Sequence, residues 1–310
     1  MCIAETMSTY VNSLTNHWAI FDKSGLKKLG HYLKVLWLLF VTAVVGHYLF
    51  ANGNQLRQTI SLCSLPSFLF ALTFILLGRT CVCKIAQMAL LPTEGKFSFA
   101  EMFRLYNRTQ LCKYIPGGLW HIVGRAAMYT RFGVEPKAAG RALLRENCWL
   151  IVSSCSLGLL LCGQTLLQRA FSFDGKLMGL LLTLCALSFF YGLSSLFVNR
   201  LVGGKVKSSL AWQIATWSCF GLAFAFLLPL HLNLSNIGLA IGTFSLAFGL
   251  GLAFPIAPSG IGIREAVIIW FFVGTLTPQE SIGAAAMSRV LWTLGEFVMA
   301  FISELPIGKR

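Results

Sequence analysis

The sequence predicts an all-α polytopic integral membrane protein with about six full spans and two broken, re-entrant helical hairpins in inverted orientation. Three observations lead there. Of the 310 residues, 56% are hydrophobic and only 12% charged, with a mean hydropathy of +0.72, against about 45–50% apolar and about 25% charged in soluble domains. Runs of about 20 apolar residues recur along the chain, the length a helix needs to cross the hydrocarbon layer. Two further apolar stretches are interrupted by proline and glycine, a pattern tolerated at membrane depth only where the backbone is packed in protein or lines a cavity. Such a composition excludes a disordered chain, a collagen-like fibre and an ordinary soluble domain. Spans and short loops use up the length, leaving no room for a separate soluble catalytic domain.

Residues 1–32 read as a cytoplasmic amphipathic lead with no cleavable signal peptide, and residues 33–305 as the transmembrane domain. Span one covers about 33–52, and the polar loop from Ala51 to Gln58 follows it. Span two runs from Leu65 to about Leu91. It carries Arg79 and Lys84 in its second half, so that end is expected at a membrane surface, and Pro92-Thr93-Glu94-Gly95 then marks a turn. The first broken hairpin is placed at about 98–131, around Pro116-Gly117-Gly118. Spans three, four and five follow at about 142–166, 177–198 and 210–230. The second broken hairpin occupies about 236–275, interrupted from Pro255 to Gly262. The last span covers about 281–303, and residues 306–310 form a cytoplasmic tail.

Charge sets the expected orientation. Lys and Arg number 25 against 11 Asp and Glu, a net charge of +14. In a soluble protein such an excess would suggest nucleic acid. Here the cations cluster beside apolar spans, so anionic lipid is the expected partner and nucleic acid is not. With both termini cytoplasmic, the loops assigned to the inner side hold most of the cations. The expected location is the inner (cytoplasmic) membrane of the cell.

The chemistry-bearing residues gather at the two breaks and on the last span. A half-helix that starts after a Pro-Gly break directs backbone N–H groups and a positive dipole end at whatever sits there. A nearby arginine adds a planar bidentate donor suited to phosphate. Pro116, Gly117 and Gly118 precede Trp120 and Arg125; Pro258, Gly260 and Gly262 precede Arg264 and Glu265. Arg289, Trp292 and Glu296 lie at i, i+3 and i+7, hence on one helix face. A charge at the centre of a span costs about 2.5–3.5 kcal/mol on insertion scales, so Glu296 needs a partner or a wet cavity, and Arg289 is expected to pair with Glu265 or Glu296. Glu146 sits inside the start of span three, one residue after Arg145. Tyr106, Tyr114 and Trp120 flank the first break as interfacial anchors or as stacking surfaces for a sugar.

Other chemistries find no support. No P-loop, H-E-x-x-H or G-x-S-x-G motif is present. The 10 cysteines form no disulfide framework or zinc site and read as small buried hydrophobes, Cys148, Cys155 and Cys162 on one helix face. His121 beside the first break reads as a packed histidine. No metal and no cofactor are expected.

The segment Lys113-Tyr114-Ile115-Pro116-Gly117-Gly118-Leu119-Trp120, with Gly124-Arg125 after it, resembles the K-Y-[IL]-P-G-x-x-W…G-R signature of the lysylphosphatidylglycerol synthase/flippase membrane-domain family. The stretch from Pro255 through Pro258-Ser259-Gly260-Ile261-Gly262-Ile263-Arg264-Glu265 is similar to its P-x-x-P-G-G-[LI]-G-x-R-E signature, with Ser259 where glycine is usual. Ser288-Arg289 with Trp292 and Glu296 resembles its last helix. The matches come in family order and cover about residues 30–305. The resemblance implies a stand-alone flippase-like protein that moves an anionic lipid or a polyprenyl-phosphate-linked sugar between leaflets, in cell-envelope lipid or glycan biosynthesis, without the aminoacyltransferase domain. On this reading Lys113, Tyr114, Pro116, Gly117, Gly118, Trp120, Arg125, Pro258, Gly260, Gly262, Arg264, Glu265 and Arg289 form the substrate-binding set. Glu146 and Glu296 balance charge or carry a proton. The alternatives are a membrane-embedded transferase acting on a lipid phosphate and a non-catalytic scaffold for an envelope glycosyltransferase.

Overall fold

The computed structural model describes residues 64–90, 97–114, 120–171, 206–253, 260 and 262–305, with scattered helical positions between 179 and 192. Among the described residues the protein is all-α, with no strand and one isolated bridge, Val273 to Leu276, in a turn. Four helices are long and apolar enough to cross a membrane: α1 (Leu65–Leu90), α4 (Pro136–Phe171), α6 (Leu234–Ala253) and α8 (Pro278–Glu304). They correspond to expected spans two and three, the first limb of the second broken pair, and the last span. Span one and most of span four lie outside the described residues. Span five is the helix α5 (Val206–Ala225), which stops before a turn at 226–230. It is long enough to cross, but Ser209, Gln213, Thr216 and Ser218 dilute its apolar character, and it is not among the four.

Three short helices complete the order. The first broken segment contains α2 (Phe99–Gln110), a 3-10 turn (Leu111–Tyr114) and α3 (Trp120–Arg131). The second contains α6 and then α7 (Ile263–Phe272). At 1.5 Å per residue the twelve-residue α2 and α3 are each about 18 Å long, and the ten-residue α7 about 15 Å, against about 30 Å of hydrocarbon. In each broken segment the two limbs pack on one another.

Local sequence explains where these helices begin. Ser98 caps α2: its hydroxyl accepts from the Glu101 N–H, and the Glu101 carboxylate accepts from the Ser98 N–H at 2.8 Å. These bonds hold the exposed Glu101 carboxyl below the usual range. Helix α2 is amphipathic, burying Met102, Leu105 and Tyr106. Helix α8 opens with Thr277 and Glu280 in the same reciprocal arrangement and with Pro278 in its first turn.

The core forms where α6 packs along α4 and α5, and α1 along α5 and α4. Its largest buried side chains include Trp217, Phe220, Phe224 and Phe272. Small residues let these helices approach. A Cβ on Gly249 of α6 would stand 2.2 Å from Ser154 Oγ and 2.8 Å from Cys155 Sγ of α4. Trp217 of α5 donates from its indole nitrogen to Ser153 Oγ of α4 at 2.7 Å. The expected common face of Cys148, Cys155 and Cys162 is present on α4, with Cys155 and Cys162 buried and Cys148 half-buried. Among the described residues no group of His, Cys, Asp and Glu is arranged to hold a metal.

Candidate functional site

The centre of α8 gathers polar residues that the sequence separates by up to 217 positions. Arg289, Trp292 and Glu296 share one face, as their spacing requires. Glu296 is fully buried and accepts from four donors on three elements. Arg79 Nη1 of α1 lies 2.9 Å from Oε1, Trp292 Nε1 2.8 Å from the same oxygen, and Tyr114 Oη 2.6 Å from Oε2; Lys113 Nζ also donates to Oε1. Two cations thus share one carboxylate. Seven residues earlier, Arg289 Nε donates to Glu265 Oε1 at 2.6 Å, and its Nη2 donates to the Gly260 carbonyl at 3.0 Å. The second oxygen of Glu265 accepts from the Gly262 N–H at 2.7 Å and so caps α7. Gly260 and Gly262 have φ of 66° and 90°, the left-handed region that favours glycine.

The two breaks reach α8 from opposite ends. Arg108, near the end of α2, makes a bidentate ion pair with Glu304 in the last turn of α8, at 2.5 and 2.6 Å. Five residues later Lys113 meets Glu296, eight residues or about 12 Å back along α8. From the other end, α7 turns at 273–277 directly into α8, and its first turn lies against Arg289, eleven residues or about 16 Å in from Pro278. The described residues next to the two interruptions, Lys113 on one side and Gly260 and Glu265 on the other, therefore meet the middle of one helix at points about 10 Å apart along it.

Between them lies Arg264. Its stem crosses Gly251 of α6, where a Cβ would stand 2.9 Å from Arg264 Cγ. Its guanidinium lies 4.6 Å from the Phe248 ring centre, 5.3 Å from Phe244 and 5.4 Å from Trp292. Only 5% of the residue is exposed, it forms no ion pair with any described carboxylate, and its Nη2 has no hydrogen-bond partner. Arg79 sits over the same Trp292 ring at 5.8 Å, so the indole is shared by two guanidinium groups. Aromatic faces attract cations but do not neutralise them. In a dry site, a guanidinium without a counter-charge lacks much of the compensation that burial of charge demands.

A second buried pair lies apart from this centre. Arg125 Nη1 of α3 and Glu146 Oε1 of α4 are 2.6 Å apart. Arg125 also donates to Gln110 Oε1 at 3.0 Å and Thr109 Oγ1 at 3.4 Å, and its guanidinium lies 3.8 Å from the Tyr106 ring centre. All three guanidinium nitrogens are thereby engaged. Arg125 and Glu146, assigned from sequence to substrate and to charge balance, are thus brought to each other, and both are almost fully buried.

Lys113, Tyr114, Gly260, Gly262, Arg264, Glu265, Arg289 and Glu296 are brought together around α8. Trp120 opens α3 and is half exposed. Pro116, Gly117, Gly118 and Pro258 lie outside the described residues. Of the two partners the spacing allowed Arg289, the structure selects Glu265. Arg79, read from sequence as a mark of a membrane surface at the end of span two, is 3% exposed and pairs with Glu296. The available signal was its position near the centre of a 26-residue apolar helix, where a charge requires a partner. Arg145 is also buried and donates to the Ala89 carbonyl in the last turn of α1. Phe244 and Phe248, at i and i+4 on α6, were not singled out from sequence and form part of the wall around Arg264.

A scan against models of known protein families finds no match, and a search of curated proteins finds none either.

Proposed function

We propose that this protein is a lipid translocase of the kind its motifs resemble: it binds the anionic headgroup of a membrane lipid, or of a polyprenyl-phosphate-linked sugar, at the centre of α8 and passes it between leaflets. The two broken segments act as re-entrant hairpins that enter from opposite faces, the first from the cytoplasmic side with both termini, and the tails remain in lipid. The membrane is the inner membrane of a cell with an envelope glycan or lipid pathway, and the chain itself performs no group transfer.

One observation carries this reading. Arg264 is a buried guanidinium without a counter-ion among the described residues, held beside α8 between Lys113 and the first turn of α7. A permanently unpaired charge there is unfavourable unless an anion visits, and a guanidinium presents the fork that phosphate accepts. Glu265 already takes one N–H at the start of α7, so the side-chain cations, more than the helix terminus, supply the attraction. Lys113 and Arg79 stand opposite, with Glu296 as the intrinsic anion that holds them when no headgroup is present. Arg125 belongs to the frame in this scheme and takes no part in binding.

The test is translocation in proteoliposomes containing trace fluorescent polyprenyl phosphate or fluorescent phosphatidylglycerol, read as the fraction of label accessible to an external quencher. Wild-type protein is expected to make more than the outer-leaflet half accessible. Arg264→Ala is expected to abolish this at near-normal folded yield. Transport unchanged by Arg264→Ala, or no transport of either lipid by the wild type, refutes the proposal.

A further inference from the structure

We infer that the site around α8 is matched to a doubly charged headgroup, a phosphate monoester or a diphosphate esterified at both ends, in preference to a singly charged phosphodiester; this rests on the anionic-headgroup reading above. The inference comes from a charge inventory of the site. Arg79, Lys113, Arg264 and Arg289 bring four positive charges, and Glu265 and Glu296 two negative ones. Among the described residues two positive charges remain uncompensated.

The surplus has no other described source of neutralisation. Of the chain's 11 carboxylates, seven lie among the described residues. Glu101 and Glu280 cap their own helices, Glu146 holds Arg125, Glu304 holds Arg108, and Glu135 is exposed ahead of α4. That leaves Glu265 and Glu296, already counted. Residues 115–119 and 254–259, which contain the two interruptions, carry no charged side chain. Glu5, Asp22, Glu94 and Asp174 lie outside the described residues. The site also contains a donor that is free to bind: Nη2 of Arg264 is buried and without a partner, on a residue 95% buried.

A dianion would balance such a site, whereas a monoanion would leave one buried charge unmatched, and unmatched charge is most costly where the dielectric is low. A phosphate monoester has its second pKa near 6 and carries close to two charges above neutral pH. A phosphodiester carries one at any ordinary pH. A phosphate monoester can reach the site on a lipid or as a free ion, and the shared chemistry is the dianionic phosphoryl group.

The experiment uses the full-length protein in phosphatidylcholine nanodiscs at pH 8. Retention is measured by mass spectrometry for a long-chain polyprenyl monophosphate and for the same lipid with its phosphate methylated, so that tail and size are held constant. Inorganic phosphate is added in a separate arm. Wild-type protein is expected to retain the monophosphate at least about tenfold over its methyl ester, the scale of one additional charge-assisted contact in a desolvated site. Arg264→Gln lowers the surplus to one and is expected to reduce that preference at least threefold. Glu296→Gln raises it to three and is expected to increase total retention. Melting temperatures of the loaded discs establish that each variant is folded. If Arg264→Gln does not fold, the wild-type ratio and Glu296→Gln decide.

Equal retention of monophosphate and methyl ester by wild-type protein overturns the dianion inference and leaves the anionic-headgroup reading standing. Retention of neither lipid above the phosphatidylcholine background overturns both. Displacement of the lipid by equimolar inorganic phosphate assigns the site to free phosphate and overturns the lipid assignment.

Discussion

The Arg125–Glu146 pair tests whether this protein's buried ions are frame or site. Each residue is almost fully buried, with N and O 2.6 Å apart. Removing Glu146 alone, as Glu146→Ala, leaves a guanidinium held only by Gln110, Thr109 and the Tyr106 ring. Two unit charges with centres about 4 Å apart attract by about 4 kcal/mol at an effective dielectric of about 20. Breaking one side of a buried pair costs about 3–5 kcal/mol in measured cases, because the remaining charge is orphaned. The double replacement Arg125→Met/Glu146→Leu removes both charges and fills a similar volume, so it is expected within about 1–2 kcal/mol of wild type. Unfolding in mixed detergent–SDS micelles, monitored by tryptophan fluorescence, measures all four corners of the cycle. A second readout is translocation: the double variant is expected to retain it, because these two residues satisfy each other. Either of two results would refute the reasoning. One is a Glu146→Ala cost below about 1 kcal/mol, showing that Arg125 reaches water. The other is a stable double variant that no longer transports, which would return Arg125 to the substrate.

Two other predictions concern the frame. Gly249→Leu forces a side chain into the Ser154–Cys155 surface of α4, where even a Cβ would stand 2.2 Å from an oxygen. It is expected to destabilise by about 1–3 kcal/mol or more, read as a lowered midpoint in thermal aggregation, whereas Gly140→Leu on the open face of α4 is expected to change little. At the start of α2, the Glu101 carboxyl is held below its usual value by its bonds to Ser98. The associated stability is therefore full above the ordinary carboxylate pKa of about 4.3 and lost as pH falls through the lower folded value. Ser98→Ala is expected to cost about 1 kcal/mol near neutrality and to flatten that acid limb in a melting-temperature series from pH 7 to pH 3.

The site was legible in the sequence to the extent that its residues share one element or one motif. The i, i+3, i+7 placement of Arg289, Trp292 and Glu296 defines a face on any helix, because 3.6 residues per turn leaves no alternative. The need of Glu296 for a partner followed from its place in an apolar run. That the partners are Arg79 and Lys113, 217 and 183 positions away, did not follow, since no local rule connects α1 and the 3-10 turn to α8. Arg125 shows the converse. Its motif suggested phosphate, and only the packing of α3 on α4 reveals a carboxylate already in place.

By itself the amino-acid sequence determined the all-α membrane character and the approximate placement of the four apolar helices, because these depend on hydropathy and helical period. The tertiary structure alone decided which charges neutralise one another and that buried Arg264 has no carboxylate partner among the described residues. Charges in a low-dielectric interior are governed by distances of a few ångströms between side chains. Those distances arise only when α1, α7 and the 3-10 turn close around α8, where Arg79 and Lys113 take Glu296, Arg289 takes Glu265, and Arg264 is left among aromatic rings.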